Sequence, residues 1–156
     1  MKWKDINQQH CSIARTLAEI GDRWTLLIVR DAIMGARRFE DFVERSGAAR
    51  NIVTDRLNKL SEAGILQSQV YQEKPDRFEY RLTEKGQDLY PLLLALVNWG
   101  DKWQADGQGD PVLLTHIECG HQTHVLPTCS ACGKELAYGG TRAELRDSNH
   151  PYWKVG

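Results

Sequence analysis

Apolar residues recur at helical spacing through most of the first hundred positions, and the breaks in that spacing divide the chain into elements. Ile13, Leu17 and Ile20 stand at i, i+4 and i+7 before Gly21, with Ser12 placed to cap the helix they define. Asp22 is the expected cap of a second helix carrying Trp24, Leu27, Ile28 and Ala32 and ending near Gly35. A short third helix follows in FEDFVERSG, with Phe39, Phe42 and Val43 as its stripe and Gly47 as its stop. The fourth, RNIVTDRLNKLSEAG, repeats Val53, Leu57 and Leu60 inward, with Gly64 as the stop. Its opposite face carries Asn51, Thr54, Asp55, Asn58 and Lys59, with Arg50 at the amino end.

Helices three and four, joined by SGAA, have the helix-turn-helix spacing, in which the second helix enters a DNA major groove. Many helical hairpins only build cores, so the next element matters. There the period drops to two: ILQSQVYQ and RFEYRLT form two strands around EKPDR, with Ile65, Val70 and Tyr71 on the first and Phe78, Tyr80 and Leu82 on the second. Pro75 and Asp76 supply the turn, and a hairpin in this place is a wing.

Thr83 then caps a long helix, EKGQDLYPLLLALVNWGDKWQ, in which Leu89, Leu92, Leu93, Leu96, Trp99 and Trp103 recur at spacings of three and four, and which Pro91 should kink. This apolar surplus exceeds the need of a small domain, so part of it is read as a subunit interface. The break at ADGQGD, 105–110, predicts two domains: 1–104 for DNA binding and dimerisation, and 105–156 as a small appendage. The expected fold class is mainly α with a small β-hairpin wing. It is a winged helix-turn-helix with a long C-terminal dimerisation helix and a small β-rich C-terminal appendage.

The 156 residues carry a formal net charge of −1, so any nucleic-acid surface must be local. Residues 37–85 hold ten Lys or Arg against nine Asp or Glu, a net of +1, which predicts moderate affinity with few phosphate contacts. No signal peptide is expected behind Met1, and no apolar stretch is long enough for a membrane span, so a cytoplasmic protein with no membrane partner is expected. Its four cysteines should then be reduced.

Arg50, Asn51, Thr54, Asn58 and Lys59 are types that bond base edges or phosphates. Lys74 and Arg77 near the wing tip are placed for phosphate or the minor groove, and Arg37 and Arg38 ahead of the third helix for the backbone. Asp55 is unfavourable near phosphate unless it accepts from a cytosine amino group or pairs with Arg56 or Lys59.

In that order of elements, the stretches CSIARTLAEIGDRWTLLIVRDAIMGARRFEDF, RLNKLSEAGIL, KPDRFEYRLTEKGQDLYPLL and WGDKW resemble the HxlR family of bacterial, MarR-like winged helix-turn-helix transcription regulators, over roughly residues 10–104. The resemblance implies a homodimer, paired through the first and last helices, on a pseudo-palindromic operator in double-stranded DNA. It also places Cys11 where the family carries a cysteine, which some members use for redox sensing. A helix amino end suits thiolate chemistry; the alternative is a small residue packed at the dimer contact.

In the tail, His116-Ile-Glu-Cys119-Gly120 and Cys129-Ser-Ala-Cys132-Gly133 share one frame: ligand, two residues, Cys, Gly. This resembles a zinc ribbon whose first cysteine has become histidine. His116, Cys119, Cys129 and Cys132 are the expected ligands of one structural zinc per chain, with His121 and His124 as rivals of His116. The alternative is a hairpin with free thiols, folded by packing alone. Beyond about residue 146 the chain is expected to pack loosely or be disordered.

No paired carboxylates, nucleophile elbow or phosphate loop appears, so no enzyme is expected. The expected function is sequence-specific transcription regulation, with a redox or small-ligand response as an addition. The alternatives are a protein-interaction module built on wing and tail or, further off, an enzyme with its site in the Cys/His tail. Operator, regulated genes, sign of regulation and effector are not readable from sequence.

Overall fold

In the computed structural model, which describes residues 3–142 apart from 105 and 108, the apolar stripes become the walls of a helical core. A 3-10 segment, Trp3–Gln8, leads into α1 (Ser12–Ile20), α2 (Arg23–Ile33), α3 (Phe39–Ser46) and α4 (Arg50–Glu62). The strands β1 (Leu66–Gln72) and β2 (Arg77–Leu82) follow, then α5 (Glu84–Gln87) and α6 (Tyr90–Trp103), and finally the short strands β3 (Leu114–Thr115) and β4 (Gln122–Thr123). The loosely packed end expected beyond 146 lies outside the described residues.

Ile28, Val29, Phe42, Val53, Leu57 and Leu60 are buried together, and each such side chain stabilises the fold by about 1.5–3 kcal/mol. Two sequence-predicted caps form as expected. The Asp22 carboxylate accepts from the Trp24 amide at 2.9 Å, and the Thr83 hydroxyl accepts from the Gly86 amide at 3.2 Å. The α1 cap lies one residue earlier than Ser12. Cys11 takes the place, its carbonyl accepting from the Arg15 amide at 3.0 Å.

Gly47 ends α3 with φ +66°, a left-handed conformation that favours glycine, and only Gly47, Ala48 and Ala49 link α3 to α4. Ser46, expected in the turn, belongs to α3. The wing pairs antiparallel from Leu66 opposite Leu82 to Gln72 opposite Arg77, with an irregularity between Val70 and Gln72. Ile65, expected on the first strand, precedes β1 and is buried in the core. A third, very short element joins the hairpin: Arg38 bridges Glu79, and the Tyr80 amide donates to the Arg37 carbonyl at 2.8 Å.

The expected kink at Pro91 is a full break. α5 stops at Gln87, and α6 begins afresh at Tyr90. Proline lacks an amide donor and its ring crowds the carbonyl four residues back, so it is tolerated in a first turn, where Pro91 falls. At the wing base Gly86 is buried, and a Cβ there would lie 2.2 Å from the Ile65 carbonyl oxygen, so only glycine allows α5 to approach so closely.

The chain divides into two compact units, Met1–Val97 and Asn98–Gly156. Within the second unit the Asn98 side-chain amide donates to the Val125 carbonyl, tying the end of α6 to the appendage. No helix among the described residues is long and apolar enough to cross a membrane.

Candidate nucleic-acid interface

The inward triad of α4, Val53, Leu57 and Leu60, is fully buried, which turns Arg50, Asn51, Thr54, Asp55, Asn58 and Lys59 outward on the exposed side. The charges on that face are already matched within the protein. Arg50 makes a bidentate pair with Glu40, two bonds of 2.7 Å, and its guanidinium lies 4.8 Å from the Phe39 ring. This bond to Arg50 holds the Glu40 carboxyl below the ordinary carboxylate range, with Arg77 contributing charge. Asp55 takes both partners that the sequence offered it: Arg56 at 2.6 Å and Lys59 at 2.9 Å.

The uncharged members of the face differ from one another. The Thr54 hydroxyl donates to the Arg50 carbonyl at 2.9 Å and keeps its lone pairs for another donor. Among the described residues, the side-chain amides of Asn51 and Asn58 have no partner, and both are exposed. An asparagine amide offers a donor and an acceptor in the geometry that matches the edge of adenine.

Sequence reasoning missed Arg56, which is only 18% exposed and grips the Asp22 carboxylate through two bonds of 2.9 Å. Partial burial pushes the Asp22 carboxyl up, but the Trp24 amide and the charge and hydrogen bonds of Arg56 outweigh it, leaving the pKa below its ordinary value. The missed signal was Arg56 itself, a cation at the edge of the buried Val53/Leu57 stripe.

Arg37 and Arg38 part company. The Arg37 guanidinium donates to the carbonyls of Ala32 at 2.7 Å and Ala36 at 2.8 Å, so it ties down the end of α2. Arg38 stays mostly exposed, 4.8 Å from the Tyr71 ring and 3.9 Å from Glu79. Both amides donate to Asp41, and these bonds, Arg38 first, lower the Asp41 pKa. Lys74 and Arg77 are exposed at either end of the wing turn. Val70, Tyr71 and Phe78 add exposed apolar surface to the wing.

The helices expected to pair subunits keep apolar faces open. Ile13 on α1 is 69% exposed, and Leu92, Leu96, Trp99 and Trp103 on α6 are all exposed, whereas Leu89 and Leu93 pack on the core. Cys11 is half-buried at the start of α1.

In the second unit both Cys/His turns form, with one hydrogen-bond frame. The His116 amide donates to the His121 carbonyl and the Gly120 amide to the His116 carbonyl; the Cys129 amide donates to Lys134 and the Gly133 amide to Cys129. Gly120 and Gly133 both have φ +71°. His116 Nδ1 lies 3.3 Å from Cys119 Sγ. The Cys129 thiol lies below its ordinary pKa because the Cys132 and Ala131 amides and the Cys132 side chain bond to it. Among the described residues no three Cys, His, Asp or Glu side chains converge, so the expected ligands stand as two pairs.

The HxlR-like helix-turn-helix family model matches residues 19–108. The HTH-type transcriptional regulator Rv3095 of Mycobacterium tuberculosis is 39% identical over 125 residues, 80% of this chain and 79% of its own length. The crystal structure of PA1607, a candidate transcription factor, is 38% identical with a TM-score of 0.78, covering 90% of this chain and 98% of that one. The redox regulator HypR in its reduced form is 30% identical with a TM-score of 0.56, covering 60% of this chain and 94% of that one.

Proposed function

Because the chain belongs to the HxlR-like helix-turn-helix family, we propose that it is a cytoplasmic transcription regulator that reads a two-fold symmetric operator as a homodimer. The observation that carries this reading is the outward face of α4, where Asn51 and Asn58 stand uncommitted between cations that neighbouring carboxylates hold in place.

A role for each residue follows. Asn51, Thr54 and Asn58 contact base edges; Arg50 and Lys59 exchange part of their pairing with Glu40 and Asp55 for phosphate; Lys74, Arg77 and Arg38 hold the backbone from the wing. Arg37 positions the segment that carries Arg38. Pairing through α1 and α6 covers Ile13, Leu17, Leu92 and Leu96, which lie bare on the single chain. The role is binding, not catalysis.

Selection from a randomised double-stranded DNA pool tests the reading. An enriched inverted repeat with half-site centres about 10 base pairs apart is expected. A pool without enrichment would count against sequence-specific binding.

A further inference from the structure

The unit Asn98–Gly156 is compact, yet none of its described residues is buried; the most enclosed, among them Leu114, Val125 and Cys129, are only half-buried. Apolar burial therefore does little to hold it, and Ile117 and Tyr138 lie bare on its surface. What order it has is concentrated in the two turns.

Those turns repeat one another bond for bond. In each, the first residue's amide donates to the carbonyl five residues on, the glycine amide donates back to the first residue's carbonyl, and the glycine adopts φ +71°. A short antiparallel pairing flanks each turn: β3 with β4 around the first, and the Thr128–Glu135 bridge beside the second. The frame brings positions one and four of the first turn together, with His116 Nδ1 3.3 Å from Cys119 Sγ, and the second turn repeats that frame at Cys129 and Cys132. Two donors from each of two like turns make four. Three sulfurs and one imidazole nitrogen are a set that favours Zn²⁺ among common divalent metals.

We propose that the two turns close on one Zn²⁺ through His116, Cys119, Cys129 and Cys132, and that the metal supplies the folding energy that this unit lacks in buried apolar surface. The donors are arranged as two pairs, one on each turn, and one ion bound by both pairs would complete the set of four. Four protein ligands leave no position for water, so the metal is structural. His121 and His124 belong to neither pair: each turn's frame relates its positions one and four, and these histidines follow the glycine of the first turn.

The test begins with elemental mass spectrometry on untagged full-length protein, purified under reducing conditions without chelator. About one zinc per chain is expected, falling to background in the Cys129→Ser/Cys132→Ser double variant. Because that variant can fail to fold, Co²⁺ is also titrated into metal-stripped wild type and followed by absorption. Intense tetrahedral d–d bands with thiolate-to-cobalt charge transfer support the site. They should change in His116→Ala and persist in His121→Ala and His124→Ala. Wild type without stoichiometric metal and with only the spectrum of hydrated Co²⁺ would overturn the proposal, as would zinc retained by the double variant. Bands lost in His121→Ala or His124→Ala but kept in His116→Ala would overturn the ligand set.

Discussion

Arg56 of α4 and Asp22 at the start of α2 are joined by two parallel hydrogen bonds of 2.9 Å, and the same carboxylate caps α2 through the Trp24 amide. One side chain thus starts one helix and fixes the direction of another, the helix whose outer face carries the candidate base contacts. Replacing Arg56 with alanine should cost about 2 kcal/mol in denaturant unfolding, with lysine restoring little because it cannot form the paired bonds. Equal stability of the arginine, lysine and alanine forms would show that the contact does not orient α4.

The Asp22 carboxyl has a folded pKa below its unfolded value, so its contribution to stability is present above the ordinary carboxylate pKa and is lost as pH falls through the folded value. Stability measured from neutral pH down to about pH 3 should therefore fall less steeply in Asp22→Asn than in the wild-type protein at the acid end. Parallel curves would remove Asp22 from the acid response.

The wing and the recognition face should fail differently. Lys74→Ala/Arg77→Ala should weaken binding to every duplex and flatten the dependence of log K on log salt by up to about two units, whereas Asn51→Ala or Asn58→Ala should cost about 1–3 kcal/mol on the selected site alone. An unchanged salt slope in the wing variant would take the wing off the DNA.

A charge on the open apolar face should separate the subunits. Leu96, 45% exposed on α6, lies outside the buried core cluster, so Leu96→Glu should leave the helical signal intact. Sedimentation equilibrium should then show a monomer where wild type is a dimer. A variant that stays dimeric would place the interface elsewhere.

Cys11 is separable from these effects. If its thiol senses oxidants, peroxide should lower operator affinity in the wild type and leave Cys11→Ser unaffected. If it only packs, as its half-burial at the start of α1 allows, both should keep their affinity under peroxide.

The helices, the wing and the caps at Asp22 and Thr83 were legible in the sequence because each rests on a local rule: apolar period, glycine stop, or an oxygen just ahead of a helix. The misses are tertiary. Arg56 looked like a surface residue until Asp22, 34 positions away in sequence, came within reach. The bonds from Arg37 to the Ala32 and Ala36 carbonyls were likewise not visible, because the end of α2 presents those carbonyls only in the fold. The strand at Arg37 and Arg38 is too short to carry a period of its own and exists only because β2 pairs with it. Pro91 was recognised as disruptive, but whether a helix bends or restarts depends on what packs beside it, and Leu89 and Leu93 are held by the core.

Fluorescence anisotropy on the selected duplex and a scrambled one, with wild type and Asn51→Ala/Asn58→Ala at several salt concentrations, measures whether the outer face of α4 reads the operator. Wild type should bind the selected site at least about a thousandfold tighter than the scrambled one, and the double variant should lose most of that ratio while keeping its salt slope. A double variant that discriminates as well as wild type would contradict the assignment of α4 as the reading helix.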